Sequence, residues 1–138
     1  MNPDPAAPER KAHRVLFCEE DPSLRELRSL LLSLSGFEVL VASDARGAVY
    51  DALRARPDCV VVSLPLSLPR VGGEGQEFLE GLRALLLEHD RRPVVIALSA
   101  HGWVPDPELV RALDPDLWLP LCVSPDELVA AVRRSLAH

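Results

Sequence analysis

The chain has 138 residues, 48% of them apolar, and a formal net charge of −6. That length fits one domain and buries roughly two thirds of the unfolded surface, so a disordered chain is excluded. The acidic balance argues against a broad nucleic-acid or anionic-membrane surface, and no apolar run is long enough to span a bilayer.

Residues 1–13 are polar and Pro/Ala-rich and read as a flexible leader without an apolar export signal. Residues 14–138 read as one domain in which apolar strand runs alternate with helical patterns. The first strand is predicted over Val15–Cys18. Asp21-Pro22 then supplies an N-cap and a proline for the first helical turn. In that first helix Leu24, Leu27, Leu31 and Leu34 are expected to face the core, and Gly36 to end it. A second strand covers Glu38–Ala42. Ser43 caps a second helix carrying Ala45, Val49, Ala52 and Leu53, stopped before Pro57.

The third strand, Cys59–Ser63, is apolar at successive positions, as expected for a parallel sheet covered on both faces. The loop from Leu64 to Gly75 comes next. Its three glycines match neither a Walker loop nor a dinucleotide fingerprint, and Glu74 would repel phosphate. A third helix is predicted over Gln76–His89 with Phe78, Leu79, Leu82 and Leu86 inward. The fourth strand is Val94–Leu98, and a short helix starts at Asp106-Pro107-Glu108 with Leu109, Val110 and Leu113. The fifth strand is Leu117–Leu119. Ser124-Pro125-Asp126-Glu127 forms a capping box for the last helix, whose apolar face is Leu128, Val132 and Leu136. Five strands alternating with five helices predict a doubly wound, flavodoxin-like α/β domain, with its site at the carboxyl ends of the strands. The three cysteines, Cys18, Cys59 and Cys122, lack metal-type spacing and fit a reducing cytoplasm.

The order of these elements, together with Glu19-Glu20-Asp21 after the first strand and Ile96-Ala97-Leu98-Ser99-Ala100 at the fourth, resembles the receiver domain of bacterial response regulators (CheY-like domains) from about Arg14 to Leu136. The resemblance implies that Glu19 and Glu20 match an acidic magnesium-binding pair. It implies that Ser63 stands at the phosphate-accepting aspartate, Ser99 at the phosphoryl-contacting hydroxyl, and Leu121 at the switch lysine. A serine cannot form the acyl phosphate and offers no carboxylate to a metal. An apolar Leu121 would fill the phosphate pocket, and the only lysine of the chain is Lys11, in the leader. The family's Lys-Pro pair reads Leu121-Cys122 here.

The bland readings differ residue by residue. Glu19 and Glu20 would form a solvated cluster at a helix N-terminus, Asp21 would only cap, and Ser99 would satisfy strand-end backbone. The resulting expectation is a stand-alone pseudo-receiver in two-component signalling, neither an enzyme nor a cofactor protein. It would act by phosphorylation-independent contact with unidentified signalling proteins, since the length leaves no room for an output domain. Metal is expected only if Glu19 and Glu20 retain residual magnesium binding. The interaction face would be the fourth helix, fifth strand and fifth helix, with Trp103, Trp118, Val123 and Arg133. The same face is open to homodimerisation, and no nucleic-acid or membrane partner is expected. One alternative keeps the switch but phosphorylates Ser63 through a kinase. A remote one pairs Ser63 with His101 in a small hydrolase, although no Gly-x-Ser-x-Gly turn is present.

Overall fold

The structure is a computed structural model that describes residues 12–44, 47, 54–64, 92–102 and 107–137. Five strands, β1 (Arg14–Cys18), β2 (Glu38–Ala42), β3 (Cys59–Leu64), β4 (Val94–Ser99) and β5 (Leu117–Pro120), form one sheet. Their order is β2-β1-β3-β4-β5, and every neighbouring pair is parallel. Among the described residues three helices accompany them: α1 (Pro22–Leu34), α2 (Pro107–Leu113) and α3 (Pro125–Leu136). The expected doubly wound α/β fold is therefore observed. The predicted second and third helices and the Leu64–Gly75 loop lie outside the described residues, apart from short fragments at Gly47, at residues 54–55 and at Leu64.

The strand sequences explain the sheet. β3 is central and buried at all six positions, which is why its run shows no polar alternation. On the face that α1 and α3 cover, Val15, Phe17, Cys59, Val61, Ile96 and Leu98 pack with Leu32, Val123, Leu128 and Val132 in one apolar cluster. At the amino ends of the strands, Asp58 accepts the Arg14 backbone N–H at 2.8 Å. Asp116 accepts that of Val95 at 2.8 Å. These carboxylates fix the register of β1 and β4 from the end opposite the expected site.

The caps act as the sequence predicts. Asp21 Oδ1 accepts from Ser23 N at 2.9 Å and Leu24 N at 3.0 Å. Ser124 Oγ accepts from Glu127 N at 3.2 Å. Gly36, at φ +100°, turns the chain out of α1 toward β2, a conformation that a side chain would strain.

The inward face of α1 differs from the prediction. Leu27, Leu30 and Leu34 are 50%, 53% and 75% exposed, whereas Arg28 and Leu32 are buried. Leucine occurs almost all round this helix, so periodicity cannot choose a face. The choice falls to the residues that meet β1 and the β5–α3 turn.

One residue assigned to the interaction face is repositioned and another is tethered while exposed. Val123 is buried in the core cluster, because the turn closed by Val123 N donating to Pro120 O at 2.9 Å directs its side chain beneath α3. Arg133 donates through Nη2 to Ser35 O at 2.8 Å, which ties it to the end of α1. Trp103 lies outside the described residues. No helix among the described residues is long and apolar enough to cross a membrane.

Candidate functional site

Parallel pairing carries the expected residues to one edge of the sheet. Cys18 pairs with Val62, Leu64 with Ser99 and Ser99 with Pro120. Glu19, Ser63, Ser99 and Leu121 thus stand at the carboxyl ends of β1, β3, β4 and β5. Leu121 N donates to Ser99 O at 2.8 Å, fixing the turn after β5 against the end of β4.

Glu19 is buried and does not belong to a solvated cluster. Its Oε2 accepts the Asp21 backbone N–H at 3.2 Å, and its Oε1 lies 4.0 Å from Arg28 Nη1. Glu20 is half-buried. Arg25 Nη1 donates to the carbonyls of Glu19 and Glu20 at 3.1 and 3.4 Å, bracing the loop that carries both.

Arg28 is the residue that sequence reasoning missed. It is only 6% exposed, and its Nη2 donates to Leu121 O, 93 residues away in the chain. A buried guanidinium from α1 therefore stands between Glu19 and the turn where the receiver resemblance places a lysine. The available signal was positional: Arg28 lies one helical turn after Leu24 and one before Leu32, so all three share a face. An arginine in a leucine-rich helix reads by default as solvated, and only the contact with Leu121 shows otherwise.

Ser63 is 4% exposed, and its Oγ has no hydrogen-bond partner among the described residues. No activating base reaches it there, and His101, which is exposed, does not pair with it. A buried hydroxyl without a partner costs stability. Ser63→Ala is expected to leave the fold intact and to stabilise it by about 1 kcal/mol in urea denaturation. A loss of similar size would show that the hydroxyl has a partner in solution.

The donor set does not suit magnesium. Glu19 Oε1 faces the Arg28 guanidinium at 4.0 Å, Oε2 accepts from the Asp21 backbone, and Ser63 contributes a neutral hydroxyl where the resemblance expects a carboxylate. No group of three or more His, Cys, Asp or Glu residues that could hold a metal occurs among the described residues.

Beside the edge lies a cleft of about 830 Å³ between α1 and the ends of β4 and β5. Leu24 and Arg28 line one side, Ser99 and His101 the rim, and Trp118 and Leu121 the other. The Leu121 side chain packs against the core cluster and forms a wall of this cleft without sealing it. Trp118, on the edge strand β5, is 40% exposed.

No model of a known protein family matches the chain. Individual relatives do. The response regulator MprA of Mycobacterium leprae is 34% identical over 125 residues, 89% of this chain and 50% of that protein. The phosphate regulon transcriptional regulatory protein PhoB of Escherichia coli is 32% identical over 124 residues, 88% of this chain and 51% of that protein. The chain thus spans about half the length of the curated relatives it matches. Among solved structures, the chemotaxis response regulator CheY4 of Vibrio cholerae superposes with a TM-score of 0.69 at 24% identity, over 91% of this chain and 99% of that one. The structural likeness shows that this chain has the CheY-like receiver fold, and the relatives add a sequence similarity to response regulators over about half of their length.

Proposed function

We propose that this receiver domain is a pseudo-receiver, signalling through protein contact without aspartyl phosphorylation. The observation that carries the reading is the Glu19–Arg28–Leu121 bridge beside a Ser63 hydroxyl with no partner among the described residues. A resident guanidinium neutralises the acidic loop where the family pattern would use a metal, and no carboxylate stands at the acceptor position. Ser63 phosphorylation finds no support in a hydroxyl that solvent barely reaches. The contact surface we assign is the edge formed by α2, β5 and α3, with Trp118 as its exposed aromatic anchor. Val123 is excluded from it by its burial, and Arg133 remains exposed on α3.

The test is tryptophan fluorescence on titration with magnesium and then beryllium fluoride, a phosphoryl mimic, beside an ordinary receiver as positive control. The expected result is no saturable response. A saturable, magnesium-dependent change would overturn the proposal and restore phosphoryl switching.

A further inference from the structure

The cleft beside the former phosphoryl position has features that a pure docking module does not need. Its volume, about 830 Å³, falls within the range of small-molecule sites. Arg28, only 6% exposed, lines it, yet the Nη1 of that guanidinium has no hydrogen-bond partner among the described residues. Ser99 and His101 stand on the rim. The opposite side is apolar, with Trp118 offering a flat, partly exposed ring and Leu121 a branched aliphatic wall.

We infer that this cleft binds a small organic monoanion with a flat apolar body, of the aromatic carboxylate class. A carboxylate matches the two-pronged edge of a guanidinium and would supply the acceptor that Arg28 Nη1 lacks. Nη1 is buried and turns toward Glu19 Oε1 at 4.0 Å, outside hydrogen-bond range, so the guanidinium must swing toward the cleft to meet the ligand. That same glutamate sets the charge of the ligand. Glu19 already offsets part of the guanidinium charge, so a dianionic phosphate would meet more repulsion than a monoanion. Trp118 sets the shape, because an aromatic face prefers a flat partner in offset or edge contact. Since Arg28 also holds the Leu121 carbonyl, and Trp118 belongs to the proposed docking edge, a bound ligand would be read at that edge. The site is thus an input by small-molecule binding, separate from phosphorylation.

The probe is 1-naphthoate, with neutral 1-naphthylmethanol and inorganic phosphate as comparisons. The readout is the ¹H–¹⁵N spectrum: the amides of Ala100, Gly102 and Cys122 and the Trp118 indole N–H. Saturable shifts at these positions are expected with naphthoate, with binding of the neutral alcohol weaker by about tenfold or more. Arg28→Met should erase the preference for the anion. Should that variant not fold, Ser99→Ala and Trp118→Ala provide the same test, each weakening naphthoate by several-fold. Absence of cleft shifts, equal binding of the alcohol, tighter binding of phosphate, or an unchanged affinity in Trp118→Ala would each overturn the inference. The beryllium fluoride titration reads the loss of phosphoryl switching separately, so failure of one leaves the other standing.

Discussion

Replacing Arg28 with alanine should lower folding stability by about 3 kcal/mol, the low end of the cost of removing one partner from a buried ion pair. Two groups are stranded by the change. The Glu19 carboxylate stays buried without its counter-charge, and the Leu121 carbonyl loses a charged donor. The low end applies because the Nη1–Oε1 separation of 4.0 Å is long for an ion pair. The loss should be partly recovered in Arg28→Ala with Glu19→Gln, since the second change removes the orphaned charge. A double-mutant cycle on urea midpoints should therefore give a coupling of about 1 kcal/mol or more. It should change little with added salt, because a buried pair is poorly screened. A single-variant loss well under 1 kcal/mol, or additive effects, would mean that water reaches the pair and that Arg28 does not bridge α1 to the β5–α3 turn.

This bridge also marks where sequence reading stops. All five strands were legible to within a residue, because a central parallel sheet demands unbroken apolar runs rich in β-branched residues. The caps at Asp21 and Ser124 were legible because they are local: a short polar side chain meets backbone N–H groups two or three residues on. The positions of Glu19, Ser63, Ser99 and Leu121 at one edge came from strand ends alone. What was not legible depends on contacts far apart in sequence. The buried face of α1 is chosen by Arg28 reaching Leu121 and by Leu32 entering the core, while Leu27, Leu30 and Leu34 are left to solvent. Val123 stands after Cys122 in a short turn, where neither period applies, so its burial under α3 could not be separated from surface exposure. Arg133 shares α3 with Arg134, and only the carbonyl of Ser35 shows which way it turns. The function divides along the same line. Ser63 and Leu121, where the receiver resemblance expects an aspartate and a lysine, are single letters in the sequence, but the guanidinium beside Leu121 is a side chain from another element.

A second large effect is expected at alkaline pH, and it comes from Cys59. This thiol lies at the start of the central strand, fully buried. Burial pushes it up from an ordinary value of 9.0 to about 12, with the negative charges of Asp116 and Asp58 adding to the rise. Below about pH 9 the thiol is protonated in both folded and unfolded chains and contributes no pH dependence. Above that, the unfolded chain gives up the proton while the folded one keeps it. The unfolded state then binds fewer protons, so stability falls as pH rises. Across the interval from 9.0 to about 12, at about 1.36 kcal/mol per pH unit, the loss approaches about 4 kcal/mol. Other groups titrate in this range, so the comparison is with Cys59→Val, which keeps the shape of the side chain and removes the ionisation. The difference in stability between the two proteins should be constant up to about pH 9 and then move steadily in favour of the variant. Parallel curves through pH 11 would show that the thiol ionises equally in both states, and hence that the centre of the sheet is open to water. The same burial bears on redox signalling: a thiol held protonated is a poor nucleophile, so a thiol reagent at neutral pH should modify the exposed Cys122 and spare Cys59. Any oxidative input would then enter at Cys122, on the turn whose neighbouring carbonyl Arg28 holds.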